Sequence, residues 1–172
     1  MEHKQNVFYV RKDKLSIIIT CACLAIIILS IILLVRDAIN KPVNICFNGI
    51  IAFLLIVLPL YFYFMSPTKV ELTNEAIIIH KVIGCKTFRY SDIKNVLRFS
   101  GDSGLRLWGS GGFFGYIGLF SSKDIGRHYE YVGDFSEAFL IILVSGKKYV
   151  LSCVDSSYVI SLLMTKINIR PL

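Results

Sequence analysis

The residues that could do chemistry are few and poorly spaced for it. Three histidines, His3, His80 and His128, lie far apart, one in a polar tail and two in strand-like runs. None has the paired ligands of a metal site or the partner of a general base. Ser110 stands in Gly109-Ser110-Gly111, which lacks the Gly-x-Ser-x-Gly frame that presents a nucleophile on a strand-to-helix turn. Asp134 and Glu137 read as turn residues, not as an acid–base pair. Five cysteines (Cys21, Cys23, Cys46, Cys85 and Cys153) form no CxxC pair, which fits a reducing compartment. These residue types predict no catalytic site, no metal and no cofactor.

Gly101–Gly118 is the segment with the most unusual composition, holding seven glycines in eighteen residues. A phosphate cradle fails on spacing. Gly109-Ser110-Gly111 puts Phe114 where a dinucleotide fingerprint needs its third glycine, and no Gly-Lys-Ser/Thr follows. A contact loop fits better, because glycines allow positive φ and close backbone approach while the aromatics supply apolar surface. The predicted contact residues are Arg106, Trp108, Gly109, Gly111, Gly112, Phe113, Phe114, Gly115 and Tyr116, with Lys81, Lys86 and Arg89 as a neighbouring basic surface. Three placements are open for the loop. It can rest in a headgroup layer, form a protein interface centred on Trp108, Phe114 and Arg106, or pack on its own domain.

The elements that must position this segment follow from the hydropathy pattern. The chain has 172 residues, 55% hydrophobic and only 18% charged, too apolar for disorder or for an ordinary soluble domain. Leu15–Val35 and Val43–Met65 carry no charge over 21 and 23 residues. Each spans about 30 Å as a helix, the thickness of a bilayer core. The predicted organisation is a basic N-terminus over 1–14, a transmembrane helical hairpin over 15–65, and one domain over 66–172. Ser16, Thr20 and Cys23 fall near one face of the first helix, where a close helix neighbour fits. Pro59 predicts a kink in the second, and Tyr61–Phe64 an interfacial aromatic belt. No ionisable group lies in either span, so an ion path is not expected.

Lys4, Arg11, Lys12 and Lys14 precede the first span, and Lys69 and Lys81 follow the second, while the link holds only Arg36 and Lys41. That asymmetry places both termini in the cytoplasm and the protein in the inner membrane. The net charge of +7 is spread too diffusely for nucleic acid. The expected partners are the lipid bilayer and a protein, either another chain or further copies of this one.

Beyond Ser66 the pattern changes to short strands: Lys69–Leu72, Ala76–Val82, Lys86–Tyr90, Ile93–Phe99, Gly126–Val132, Ala138–Val144 and Lys147–Leu151. Val159, Ile160, Leu162, Leu163 and Ile167 then recur with helical spacing, behind Asp155 or Ser156 as a cap. The expected domain is all-β, with seven antiparallel strands closed by a C-terminal helix.

In that order of elements the chain resembles the pleckstrin-homology-like fold in its bacterial, membrane-attached form, over about 67–168. Val70–Ile77 looks like the opening hairpin, Tyr90–Val96 like the third strand leading into the fourth, and Arg106–Gly118 like a glycine-aromatic segment of one bacterial subgroup. The resemblance implies a non-catalytic, often oligomeric binding or assembly module at a membrane. Lipid-binding eukaryotic members place basic residues in the first hairpin; here Thr73, Asn74 and Glu75 stand there, so phosphoinositide recognition is not carried over. A small accessory subunit of a membrane export or transport complex, held by contacts through Ser16, Thr20 and Gly49, is the alternative.

Overall fold

A computed structural model describes residues 6–41, 45–102 and 104–168. His3 and Lys4 of the predicted basic tail lie outside the described residues. Helix α1 runs Lys14–Asn40 and α2 runs Ile45–Met65, continuing through Pro59. Asp13 caps α1, its Oδ1 accepting the Ser16 N–H at 2.7 Å. Both helices are long and apolar enough to cross a membrane, and almost none of their surface is buried within the protein. α1 outruns its predicted end and takes in Arg36 and Asp37. The buried Asn48 of α2 donates to Asp37 Oδ2 at 2.9 Å, a polar clasp between the two helices.

The β-rich part holds ten described strands rather than seven. A four-stranded antiparallel sheet runs in the order β1 (Val7–Tyr9), β2 (Pro67–Leu72), β3 (Ala76–Lys81), β4 (Cys85–Arg89). The second sheet uses β5 (Ile93–Arg98), β6 (Leu105–Gly112), β7 (Gly115–Ser122), β8 (Gly126–Val132), β9 (Ala138–Leu143) and β10 (Lys148–Ser152), in the order β5-β9-β10-β8-β7-β6. All seven expected strands are present within a residue or two. β1, β6 and β7 are additional, and the sheet is mixed, because β10 pairs parallel to β8. The β9–β10 hairpin lays β9 on one side of β10, so the free side of β10 meets β8 running in the same direction.

Strand β1 precedes α1 yet pairs with β2, which follows α2, in the register Val7↔Glu71 to Tyr9↔Lys69. The chain therefore leaves the sheet, travels along both helices and returns to the neighbouring strand. The N-terminal strand and the domain lie at the same end of the helical pair.

Apolar residues alternate inward from both sheets. Val70, Ile77, Ile79, Val96, Phe139, Ile141 and Leu151 make the inter-sheet core, which helix α3 (Ser156–Asn168) closes with Val159 and Leu163. A second cluster, including Phe99, Tyr116, Val132, Leu140 and Val150, covers the opposite face of the six-stranded sheet. The first turn of α3 is held by Glu137 rather than by its own Asp155 or Ser156 side chain. Glu137 Oε2 accepts from Ser156 N at 3.2 Å and from Ser156 Oγ at 2.7 Å.

Candidate functional site

The glycine-aromatic segment is a β-hairpin, β6–β7, and not a loop. Its register runs from Leu105↔Ser121 to Gly112↔Gly115, with Phe113 and Phe114 as the two-residue tip. Gly109 and Gly118 face each other at φ +115° and +132°. A Cβ on Gly109 would lie 2.0 Å from the Ile117 carbonyl oxygen, and one on Gly118 would lie 2.2 Å from that of Trp108. Close approach of two backbones is what these two glycines serve.

The tip is docked at the base of both helices. Phe114 sits at φ +58°, a left-handed conformation uncommon for a bulky side chain. Its surroundings hold it there. Phe114 N–H donates to Thr20 Oγ1 at 2.9 Å, and its carbonyl accepts from Ser66 Oγ at 2.9 Å and from the Lys12 ammonium. Lys12 also donates to Ser66 Oγ and lies over the Phe114 ring. Ser16 Oγ, fully buried, donates to the Gly112 carbonyl at 2.7 Å. Tyr116 donates to Asp13 Oδ2 at 3.2 Å, so β7 also reaches the cap of α1. Phe113 packs edge-on against Phe62, and Phe114 against Tyr63. Ser16 and Thr20, expected to meet a close helix neighbour, are used by the hairpin tip instead.

Charge completes this joint. Arg11 donates through Nε and Nη2 to Asp134 Oδ2 at 3.1 and 2.8 Å. Burial pushes Asp134 up, but hydrogen bonds from Ser136 and Arg11 outweigh it and hold the carboxyl below the usual range. Burial brings the Lys12 ammonium down to about 8. Burial, helped by the Asp13 carboxylate, pushes the Tyr116 hydroxyl up to about 12.

The predicted contact residues therefore separate. Gly112, Phe113, Phe114, Gly115 and Tyr116 form the joint. A register shift between Arg106 and Trp108 pairs Arg106 with Phe120 and Trp108 with Leu119. Directly opposed residues share a face, so Arg106 and Trp108 lie on opposite faces of the sheet. Arg106 runs along β6 over Gly111, where a Cβ would sit 3.5 Å from Nη1. Trp108 is 72% exposed. An interface centred jointly on Trp108, Phe114 and Arg106 is thus not assembled. The basic trio separates too. Lys81 Nζ lies 3.4 Å from Met65 Sδ at the end of α2, and Lys86 lies over the Tyr149 ring. Arg89, opposite Ala76, is at the other end of β4, near Tyr90 and Lys166.

Trp108 borders an apolar cleft of about 180 Å³ between β6–β7–β8 and the last turns of α2. Tyr61, Phe62 and Met65 form one wall, and Ile117, Leu119, Tyr129 and Tyr131 the other. Backbone at Gly109 and Gly118 lines the space between them.

A buried polar pair lies on the sheet's other face. His128 Nε2 is 2.9 Å from Glu130 Oε1 and its Nδ1 is 2.8 Å from the Gly126 carbonyl, with both side chains fully buried. Among the described residues Glu130 Oε2 has no hydrogen-bond partner. Burial pushes the Glu130 carboxyl up, while its hydrogen bond keeps His128 above the ordinary histidine value against its own burial.

Sequence reasoning missed Lys12, Asp13 and Ser66 as parts of the joint. Their signal was a run of short polar and basic residues at the ends of the two apolar helices.

Residues 68–167 match the family described as bacterial PH domain, more than half of the chain, and the protein belongs to that family. No curated protein and no solved structure gives a match.

Proposed function

We propose that the protein is a membrane-anchored, non-enzymatic binding or scaffold module. The two helices cross the inner membrane with both termini cytoplasmic, and they hold the PH domain against the cytoplasmic surface. The observation that carries this reading is the joint. Hydrogen bonds donated by Lys12, Ser16 and Ser66 to the β6–β7 tip, and accepted by Thr20 from it, fix the domain at the helix ends rather than leaving it on a linker. Fixed placement confines the exposed strand β6 to the membrane layer, where tethering raises its effective concentration for neighbours. Leu105, Leu107 and Trp108, all exposed on β6, supply the contact surface. Aromatic anchors of this kind carry much of the binding energy at interfaces.

Site-specific photocrosslinking from Leu105 and Leu107 in intact membranes tests the reading. Crosslinks to a discrete protein, or to a second copy, support it, and their loss on Trp108→Ser assigns the surface. Crosslinks that survive W108S unchanged move the contact elsewhere. The accessory-subunit alternative relied on Ser16, Thr20 and Gly49 as contacts; the joint already occupies the first two, and Gly49 stays open on α2. Exchange of both spans for unrelated apolar helices that keep the joint residues should therefore preserve partner capture.

A further inference from the structure

One wall of the cleft beside Trp108 is the end of an apolar helix. Tyr61, Phe62 and Met65 are the last residues of α2, and Tyr61 and Phe64 remain partly open to the outside. The cleft is thus continuous with the surface that α2 offers to lipid. Its other wall is mostly apolar, formed by Ile117, Leu119 and the rings of Tyr129 and Tyr131, and no side chain projects from Gly109 or Gly118. Below the roughly 300 Å³ at which drug-sized sites begin, it has room for a short length of hydrocarbon and not for a folded ligand. A cation stands at its edge, because Lys81 Nζ reaches Met65, one of the lining residues. The turn after Lys81 continues the apolar rim. Ile83 is exposed, and its N–H donates to the Phe64 carbonyl at 3.1 Å, next to the end of α2.

We infer that this cleft takes an acyl chain of an anionic phospholipid from the adjoining leaflet, with the phosphate at Lys81. The inference rests on the membrane reading above and deepens it by naming a ligand. Hydrocarbon enters because the cleft opens where α2 leaves the bilayer, and an apolar space there gains nothing from water. The anionic headgroup follows from the Lys81 ammonium, 3.4 Å from the sulfur of the lining residue Met65. Trp108 borders the cleft beside Tyr61, and tryptophan favours the membrane interface. This position is away from the Thr73–Glu75 turn of the opening hairpin.

The chain has a single tryptophan, so Trp108 reports on its own surroundings. The full chain is placed in bilayer discs of phosphatidylcholine containing increasing fractions of acyl-brominated phosphatidylglycerol, or of equally brominated phosphatidylcholine. Bromine quenches only at contact. The expected result is saturable quenching, half-complete at about a fivefold lower fraction of the glycerol lipid, the effect of one lysine beside an anionic leaflet. Lys81→Gln should abolish that preference and retain quenching by both lipids. Leu119→Glu, a carboxylate in the cleft, should abolish saturation. Quenching that is linear and equal for the two lipids overturns the inference, as does a Trp108 that neither lipid quenches. Co-flotation with the discs separates the two claims. A chain that floats yet shows no selective quenching loses only the cleft assignment, and one that does not insert loses the membrane reading and the cleft with it.

Discussion

Two glycines two residues apart in β6 should behave oppositely when changed to alanine. Gly109 has φ +115°, and its Cβ would meet the Ile117 carbonyl oxygen at 2.0 Å and Gly118 Cα at 2.8 Å. All of these are backbone atoms, so no side chain can rotate away and the β6–β7 ladder must open. Placing an L-residue in that region costs about 1–3 kcal/mol before any clash. Gly109→Ala should therefore destabilise by at least about 3 kcal/mol, a large share of the 5–15 kcal/mol typical of a domain. Gly111, in ordinary extended geometry, would place its Cβ 3.5 Å from the Arg106 guanidinium, a normal contact. There alanine removes unfolded-state freedom and should stabilise by about 0.5 kcal/mol. Thermal unfolding of the full chain in detergent, followed by Trp108 emission, reads both. For a domain of this size, the Gly109 variant should lose at least about 10 °C in Tm, and the Gly111 variant should gain a few degrees. Equal effects at the two positions would show that the glycines serve flexibility or composition, and the close-approach account would be wrong.

Three further outcomes are expected. His128→Leu strands the buried Glu130, whose Oε1 loses its His128 partner, and should cost about 3–5 kcal/mol in chemical unfolding, most of it recovered in His128→Leu/Glu130→Met. Lys12 titrates at about 8 in the folded protein against an ordinary value of 10.5. Between those two pH values the unfolded chain keeps a proton that the folded chain has lost, so stability should rise with pH across that window, and Lys12→Met should flatten the rise. Thr20→Val removes the partner of the Phe114 N–H and should cost about 1–3 kcal/mol. Hydrogen exchange should accelerate at Phe114 while amides of β9 and β10 stay protected.

Much of the architecture was readable because its pattern is regular. The isoleucine-rich β3 and the apolar β9 announce themselves, and the stripe of Val159, Ile160 and Leu163 marks α3. Strands β6 and β7 were not readable for a physical reason. Their central pair, Gly109 and Gly118, carries no side chain, and the shift at Arg106/Trp108 breaks the two-residue period. Composition alone then resembles a loop. β1 is only three residues in a basic tail, too short for a periodic signal, and its partner lies past both helices. The parallel β8–β10 pair escaped because neighbouring segments usually pair with each other. At the site, the small face of α1 was visible in Ser16 and Thr20, but sequence spacing does not say what fills such a face. It could not show that a Phe-Phe tip from nearly a hundred residues away would do so.

The pairing of Val7–Tyr9 with Lys69–Glu71 makes the two helices an excursion between adjacent strands of one sheet. On the membrane reading proposed above, threading and folding are therefore one event. If either helix fails to cross and return, the first strand is stranded on the wrong side, Arg11 cannot reach Asp134, and Lys12 cannot reach the Phe114 carbonyl. Correct insertion is thus recorded in the fold itself. A misthreaded chain would display an open edge at Pro67–Leu72, which quality-control proteases that recognise unpaired strands could remove before the protein met any partner.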